Sequence, residues 1–171
     1  MYIFLGSWAM TFAGLFFVYG AVRSHAGQWP PAGVPVLPVG LPAINTLVIG
    51  ASSVMLHLWL TGIERRRAVT LVASLTVALA ALFGALQIVL WKNIYVDGLR
   101  PSEGIYPSVF WALTLFHGLH VLIGLGALGT LLVRSLNGQH SAANHLSLKL
   151  WSMYWHFVGL VWFLVFVTVF F

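Results

Sequence analysis

The sequence predicts an all-α membrane protein with five transmembrane helices in a bundle, and three observations carry that prediction. Hydrophobic residues make up 60% of the 171 positions and charged residues 6%, against about a quarter charged in ordinary soluble domains. The mean hydropathy is +0.96. The apolar residues fall into runs near the roughly 20 residues a helix needs to cross a bilayer, without the alternation of barrel strands. Residues 1–171 therefore form a single transmembrane domain, with spans at about 2–22, 43–63, 68–91, 108–133 and 150–171.

The first span ends at Arg23 and His25, and its Ala9, Ala13 and Gly20 share one helical stripe that lets a neighbouring backbone approach. The loop from Gln28 to Pro42 holds five of the seven prolines. Proline fixes φ and removes the backbone donor, so this loop is a stiff extended connector. Span two carries Thr46, Gly50, Ser53 and His57 on one stripe with Asn45 and Ser52 beside it. That stripe reads as helix–helix contact rather than a transport path, which would bring intramembrane carboxylates. The basic turn Glu64-Arg65-Arg66-Arg67 follows.

Span three has one strongly polar interior residue, Gln87. The turn-rich connection Lys92 to Pro107 then carries Asp97 and Glu103. Span four holds Phe116-His117-Gly118-Leu119-His120-Val121 and ends at Arg134; a polar connector with His140 and His145 leads to span five. With the triple-arginine turn inside, five basic residues lie inside (the turn, Arg134, Lys149) and three outside (Arg23, Lys92, Arg100). This bias puts the N-terminus in the cytoplasm and the C-terminus outside. The N-terminus lacks the basic region of a cleavable signal.

The net charge of +5 is read as topological rather than as attraction for nucleic acid. The absence of cysteine excludes disulfides, thiolate catalysis and cysteine metal sites. All three acidic residues lie in loops, and no nucleotide motif or catalytic combination is visible. The histidines raise one sharper reading, in which His117, His120 and His156 meet as metal or haem ligands. No carboxylate lies near them to orient an imidazole. The favoured reading gives His57, Gln87, His117, His120, Ser152 and His156 interhelical contacts, with His156 buried and reaching span three or four near His117 or His120. From the residues alone the chain is a structural or lipid-facing subunit with no metal, cofactor or catalytic site of its own.

Several stretches, in order, resemble subunit III of the haem-copper (cytochrome c or quinol) oxidases. They are Phe4-Leu5-Gly6-Ser7 with Phe12-Ala13-Gly14-Leu15-Phe16, Trp29-Pro30-Pro31, Asn45-Thr46 with Ser52-Ser53, and Asp97-Gly98 with Gly104-Ile105-Tyr106. Phe116 to Val121 and Tyr154-Trp155-His156-Phe157-Val158 are the most specific. The length is similar to that of a short bacterial form with five helices. The resemblance implies a subunit of a terminal oxidase complex without its own redox centre, in the bacterial inner membrane. Haem and copper are then expected in partner subunits I and II, with this chain packed on subunit I and supporting proton uptake or oxygen access. It also implies phospholipid held in a cleft between helices 1-2 and helices 3-5, where Trp8 and Trp155 are expected to contact lipid. Whether the complex itself acts as an oxidase enzyme is left open by the chain, because the related accessory subunit of nitric oxide reductases has a similar helix plan. A standalone transporter or membrane sensor is the third reading, and an acid-free bundle argues against it.

Four positions depart from the family pattern. Trp8, Leu90, Lys149 and Gly159 stand where family members carry carboxylates, which implies that carboxylate-dependent roles are weakened here or moved to another subunit.

Overall fold

Lipid offers a backbone no hydrogen-bond partner, so an apolar run of this length is stable in a membrane only as a helix that satisfies itself. The computed structural model describes residues 2–29, 31, 35–64, 69–138 and 145–170. Arg65–Arg67, Pro30 and His140 lie outside the described residues, and with them the turn on which the charge-based orientation rests. Five long helices account for most of the rest: α1 (Tyr2–His25), α2 (Gly40–Glu64), α3 (Thr70–Val96), α4 (Ile105–Leu136) and α5 (Leu146–Val169). All five are long and apolar enough to cross a membrane. The described residues contain no strand.

Pro42 and Pro107 both fall in the first turn of their helices, where the missing N–H would have no intrahelical acceptor. Hydroxyls inside the spans mostly bond one turn back in their own helix, as Thr76 does to the Val72 carbonyl and Thr114 to the Phe110 carbonyl.

Helices α2, α3, α4 and α5 each pack on the next and α5 closes back on α2, which makes a four-membered ring. Helix α1 lies outside this ring, against α4 and α5. Among the described residues it does not pack on α2. The molecule therefore does not divide into helices 1-2 and helices 3-5, the division on which the expected lipid cleft was based. The connector between the two helices is long, and α1 finds its complementary aromatic surface on α4.

The α3–α4 connection is braced rather than loose. Gly98 and Gly104 take positive φ values of 102° and 138°, which glycine adopts without the steric cost of a Cβ. Trp111 of α4 donates its indole N–H to the Leu99 carbonyl at 2.7 Å, and Ser108 donates to the Pro101 carbonyl at 2.7 Å. At the same end of the bundle the Tyr19 hydroxyl donates to the Val169 carbonyl and Arg23 to the Thr168 carbonyl, fastening the end of α1 to the end of α5.

Candidate functional site

Two buried histidines of α4 are wrapped by aromatic rings. His117 and His120 are one turn apart on α4, and both are 1% exposed. His120 donates from Nδ1 to the Phe116 carbonyl at 2.7 Å, which leaves Nε2 without a hydrogen-bond partner. Its ring meets the Trp8 ring edge-on, with centroids 4.4 Å apart, and touches Phe12 and Phe116. Trp8 thus covers one side of the His120 ring. The Tyr154 hydroxyl of α5 reaches the His120 backbone carbonyl at 3.1 Å.

His117 points elsewhere, between Phe12, Phe83 and Trp162. Neither ring nitrogen has a hydrogen-bond partner. The expected interhelical hydrogen bond of His117 is not made: rings on three neighbouring helices surround it, and none of those side chains offers an acceptor.

Besides the bonds from Tyr19 and Arg23 to α5, others join one helix to another. Asn45 of α2 donates to Gln87 of α3 at 3.0 Å, with both residues buried. Ser52 of α2 donates to the Thr76 carbonyl of α3 at 3.1 Å. Trp162 of α5 donates to the Thr46 hydroxyl of α2 at 3.0 Å, and the Tyr154 bond ties α5 to α4. The Asn45–Gln87 pair is legible only once α2 and α3 are known to pack, because nothing in Asn45 alone names its partner.

The last helix corrects two expectations. Trp155, expected at lipid, is fully buried, with its ring lying over the bare backbone of Gly124. His156, expected to be buried near His117 or His120, is exposed. Successive helical residues differ in direction by about 100°, so burying Trp155 turns His156 outward. Its electrostatic neighbour is His57 of α2, also exposed. Ser152 is buried, as the side of α5 that bears it faces the bundle. Gly159 lies against Ser53 and Ile49 of α2. Leu90 is buried at 1% exposure and Lys149 is exposed.

Among the described residues, no three histidine, aspartate or glutamate side chains come together as a metal-binding group. The acidic residues remain at helix ends and turns: Glu64 closes α2, Asp97 follows α3, and Glu103 lies in a 3-10 turn. The arrangement can tie helices together.

A groove of about 480 Å³ opens on the outside of the bundle between α3 and α4. Ala81, Gly84, Ile88, Trp91, Gly118 and Leu122 are among the residues that line it. In its lining the Trp91 ring lies against the bare backbone of Gly118.

Comparison with known proteins supplies what the geometry cannot. The family model for cytochrome c oxidase subunit III matches residues 1–171. Cytochrome c oxidase subunit 3 of Synechocystis sp. is 33% identical over 171 residues, covering 98% of this chain and 72% of the relative. The proteins of the same name from Tachyglossus aculeatus aculeatus and Cyprinus carpio are 32% and 33% identical over 180 residues, covering 99% of this chain and 67% of each relative.

Proposed function

The chain belongs to the cytochrome c oxidase subunit III family, and on that premise we propose that it is the non-catalytic subunit that packs against haem-bearing subunit I and keeps it intact during turnover. It is a multi-pass membrane protein of the respiratory chain, a subunit III of a haem-copper oxidase. The match of the whole chain to one family carries the reading.

The interior supports a packing role. The hydrogen bonds Asn45–Gln87, Ser52–Thr76, Trp162–Thr46 and Tyr154–His120 fasten helices to one another. His117 and His120 are enclosed by aromatic rings. Haem and copper belong to the partner subunits in this reading. Residues 1–171 act as one transmembrane unit in the bacterial inner membrane, with the N-terminus cytoplasmic as the basic-residue bias directs. Lipid holding is assigned to the α3–α4 groove, whose apolar, small-residue lining suits an acyl chain.

The replacement of family carboxylates by Trp8, Leu90, Lys149 and Gly159 removes side chains that would exchange protons. Proton uptake by the complex therefore depends little on this chain. The test is purification through a tag on this chain from native membranes. A haem spectrum in the purified material and consumption of oxygen support the reading. Recovery of a stable chain without a haem-bearing partner overturns it, and turnover with nitric oxide in place of oxygen moves the chain to the related reductases.

A further inference from the structure

Helix α5 touches α2 along one side and α1 along another, while α1 and α2 do not pack on each other among the described residues. Between those two contacts α5 presents an open strip of His156, Leu160, Phe163 and Val167, all exposed. The α2 contact is placed by Gly159 against Ser53 and Trp162 against Thr46. The α1 contact is placed by Phe157 against Phe12 and Tyr154 against Phe4. Seen down the α5 axis at about 100° per residue, His156 falls between these two sets. On the α2 border of the strip stand His57 and, two turns away, Gly50, both exposed. Nothing lies within 4 Å of where a Gly50 Cβ would be.

The position of these imidazoles matters more than their number. His57 is seven residues from the end of α2, and His156 is ten residues from the start of α5. At about 1.5 Å per residue they lie roughly 10 and 15 Å from those helix ends, within the span of a hydrocarbon layer about 30 Å thick. Neither imidazole makes a hydrogen bond among the described residues. A polar ring facing lipid at that depth is costly, and such groups are met in membranes facing protein or water. Gly50 adds what a second helix needs, a place where its backbone can come close.

We propose that the open strip of α5 between α1 and α2 is the seat of a transmembrane helix from another subunit of the oxidase complex, which brings a hydrogen-bond acceptor to His57 and His156. A carboxylate, hydroxyl or free carbonyl on that helix satisfies both imidazoles. An acyl chain satisfies neither, which is why the strip differs from the apolar α3–α4 groove. The proposal rests on the subunit III reading and adds which face of the bundle meets the partner.

The test uses the intact complex. A photo-crosslinking amino acid is placed at Leu160, on the strip, and in a second variant at Leu122, in the α3–α4 groove. The expected result is a crosslink from Leu160 to another oxidase subunit and none to a subunit from Leu122. The double variant His57→Leu/His156→Leu is expected to lower the fraction of chain retained on the haem-bearing complex roughly tenfold in a detergent wash, the scale of two interhelical hydrogen bonds. His57→Gln/His156→Gln, which keeps a donor, is expected to retain more than the leucine pair. Crosslinks from Leu160 only to lipid or to a second copy of this chain overturn the assignment of the face. So do subunit crosslinks only from Leu122, or full retention of the leucine variant. If the unsubstituted chain does not accompany a haem-bearing subunit at all, the functional reading itself fails and the face assignment with it.

Discussion

Gly124 and Gly126 stand two residues apart on α4 in opposite surroundings. A Cβ on Gly124 would meet the Trp155 ring at 2.7 Å and the Tyr154 ring at 3.2 Å, whereas one on Gly126 meets nothing within 4 Å. Trp155 is fully buried and has no room to withdraw. Gly124→Ala is therefore expected to destabilise the chain by about 1–3 kcal/mol through overpacking. Gly126→Ala is expected to be neutral or slightly stabilising, because alanine favours helix over glycine by up to about 1 kcal/mol. Unfolding in detergent, followed by helical circular dichroism, separates them; equal effects would mean that Trp155 does not lie on Gly124. His117 is the opposite case, a buried ring with two unpaired nitrogens. Replacing an unpaired buried polar group by an apolar one of similar size recovers part of a penalty of about 1–3 kcal/mol. His117→Leu should thus leave stability unchanged or raise it in the same assay. A large loss would mean that His117 has a hydrogen-bond partner.

Between elements, the contacts of α5 carry the most consequence. Trp162 bonds Thr46 across the α2–α5 junction, and the Thr46 hydroxyl in turn donates to the Pro42 carbonyl. Trp162→Phe keeps an aromatic ring against Phe83 and removes the bond, so it is expected to cost about 0.6–1.7 kcal/mol, the range of interhelical bonds in bilayers. The same substitution together with Thr46→Val should cost little more than Trp162→Phe alone, because the bond is already gone. A strictly additive double variant would show that the two residues do not interact. Which faces meet was the least legible feature of the sequence. In a soluble helix the apolar side marks the core, but here lipid and interior are both apolar, so the pattern carries almost no such signal. His156 was expected inside and Trp155 at lipid, and the fold reverses these neighbours, because the Gly124 gap on α4 accepts the tryptophan ring. The stripe of Ala9, Ala13 and Gly20 was expected to receive a neighbouring helix, yet all three are exposed in this chain. Gln87 was legible as a buried residue with a polar partner to find, since one strongly polar side chain in an otherwise apolar span requires one.

At the scale of the whole molecule, the number and order of the helices were legible because bilayer thickness sets a length that soluble helices need not meet. Membership of the oxidase family was legible in the two histidine-bearing stretches of α4 and α5, and the match covers the whole chain. The ring of α2 to α5 with α1 outside it was not, because long connectors leave helix adjacency to side-chain complementarity. The aromatic contacts of Phe12 with Phe116, His117, His120 and Phe157 decide it for α1. In the proposed reading, a bundle in which Asn45, Ser52, Tyr154 and Trp162 fasten helices to one another serves the redox chemistry of a complex by holding its partner. The most direct measurement is oxygen consumption by the purified complex before and after this chain is stripped from it, with the haem absorbance recorded alongside. The account predicts an unchanged haem spectrum, an initial rate close to that of the intact complex, and a faster loss of activity over successive turnovers. Loss of the haem spectrum, or complete loss of oxygen consumption from the first turnover, would contradict it.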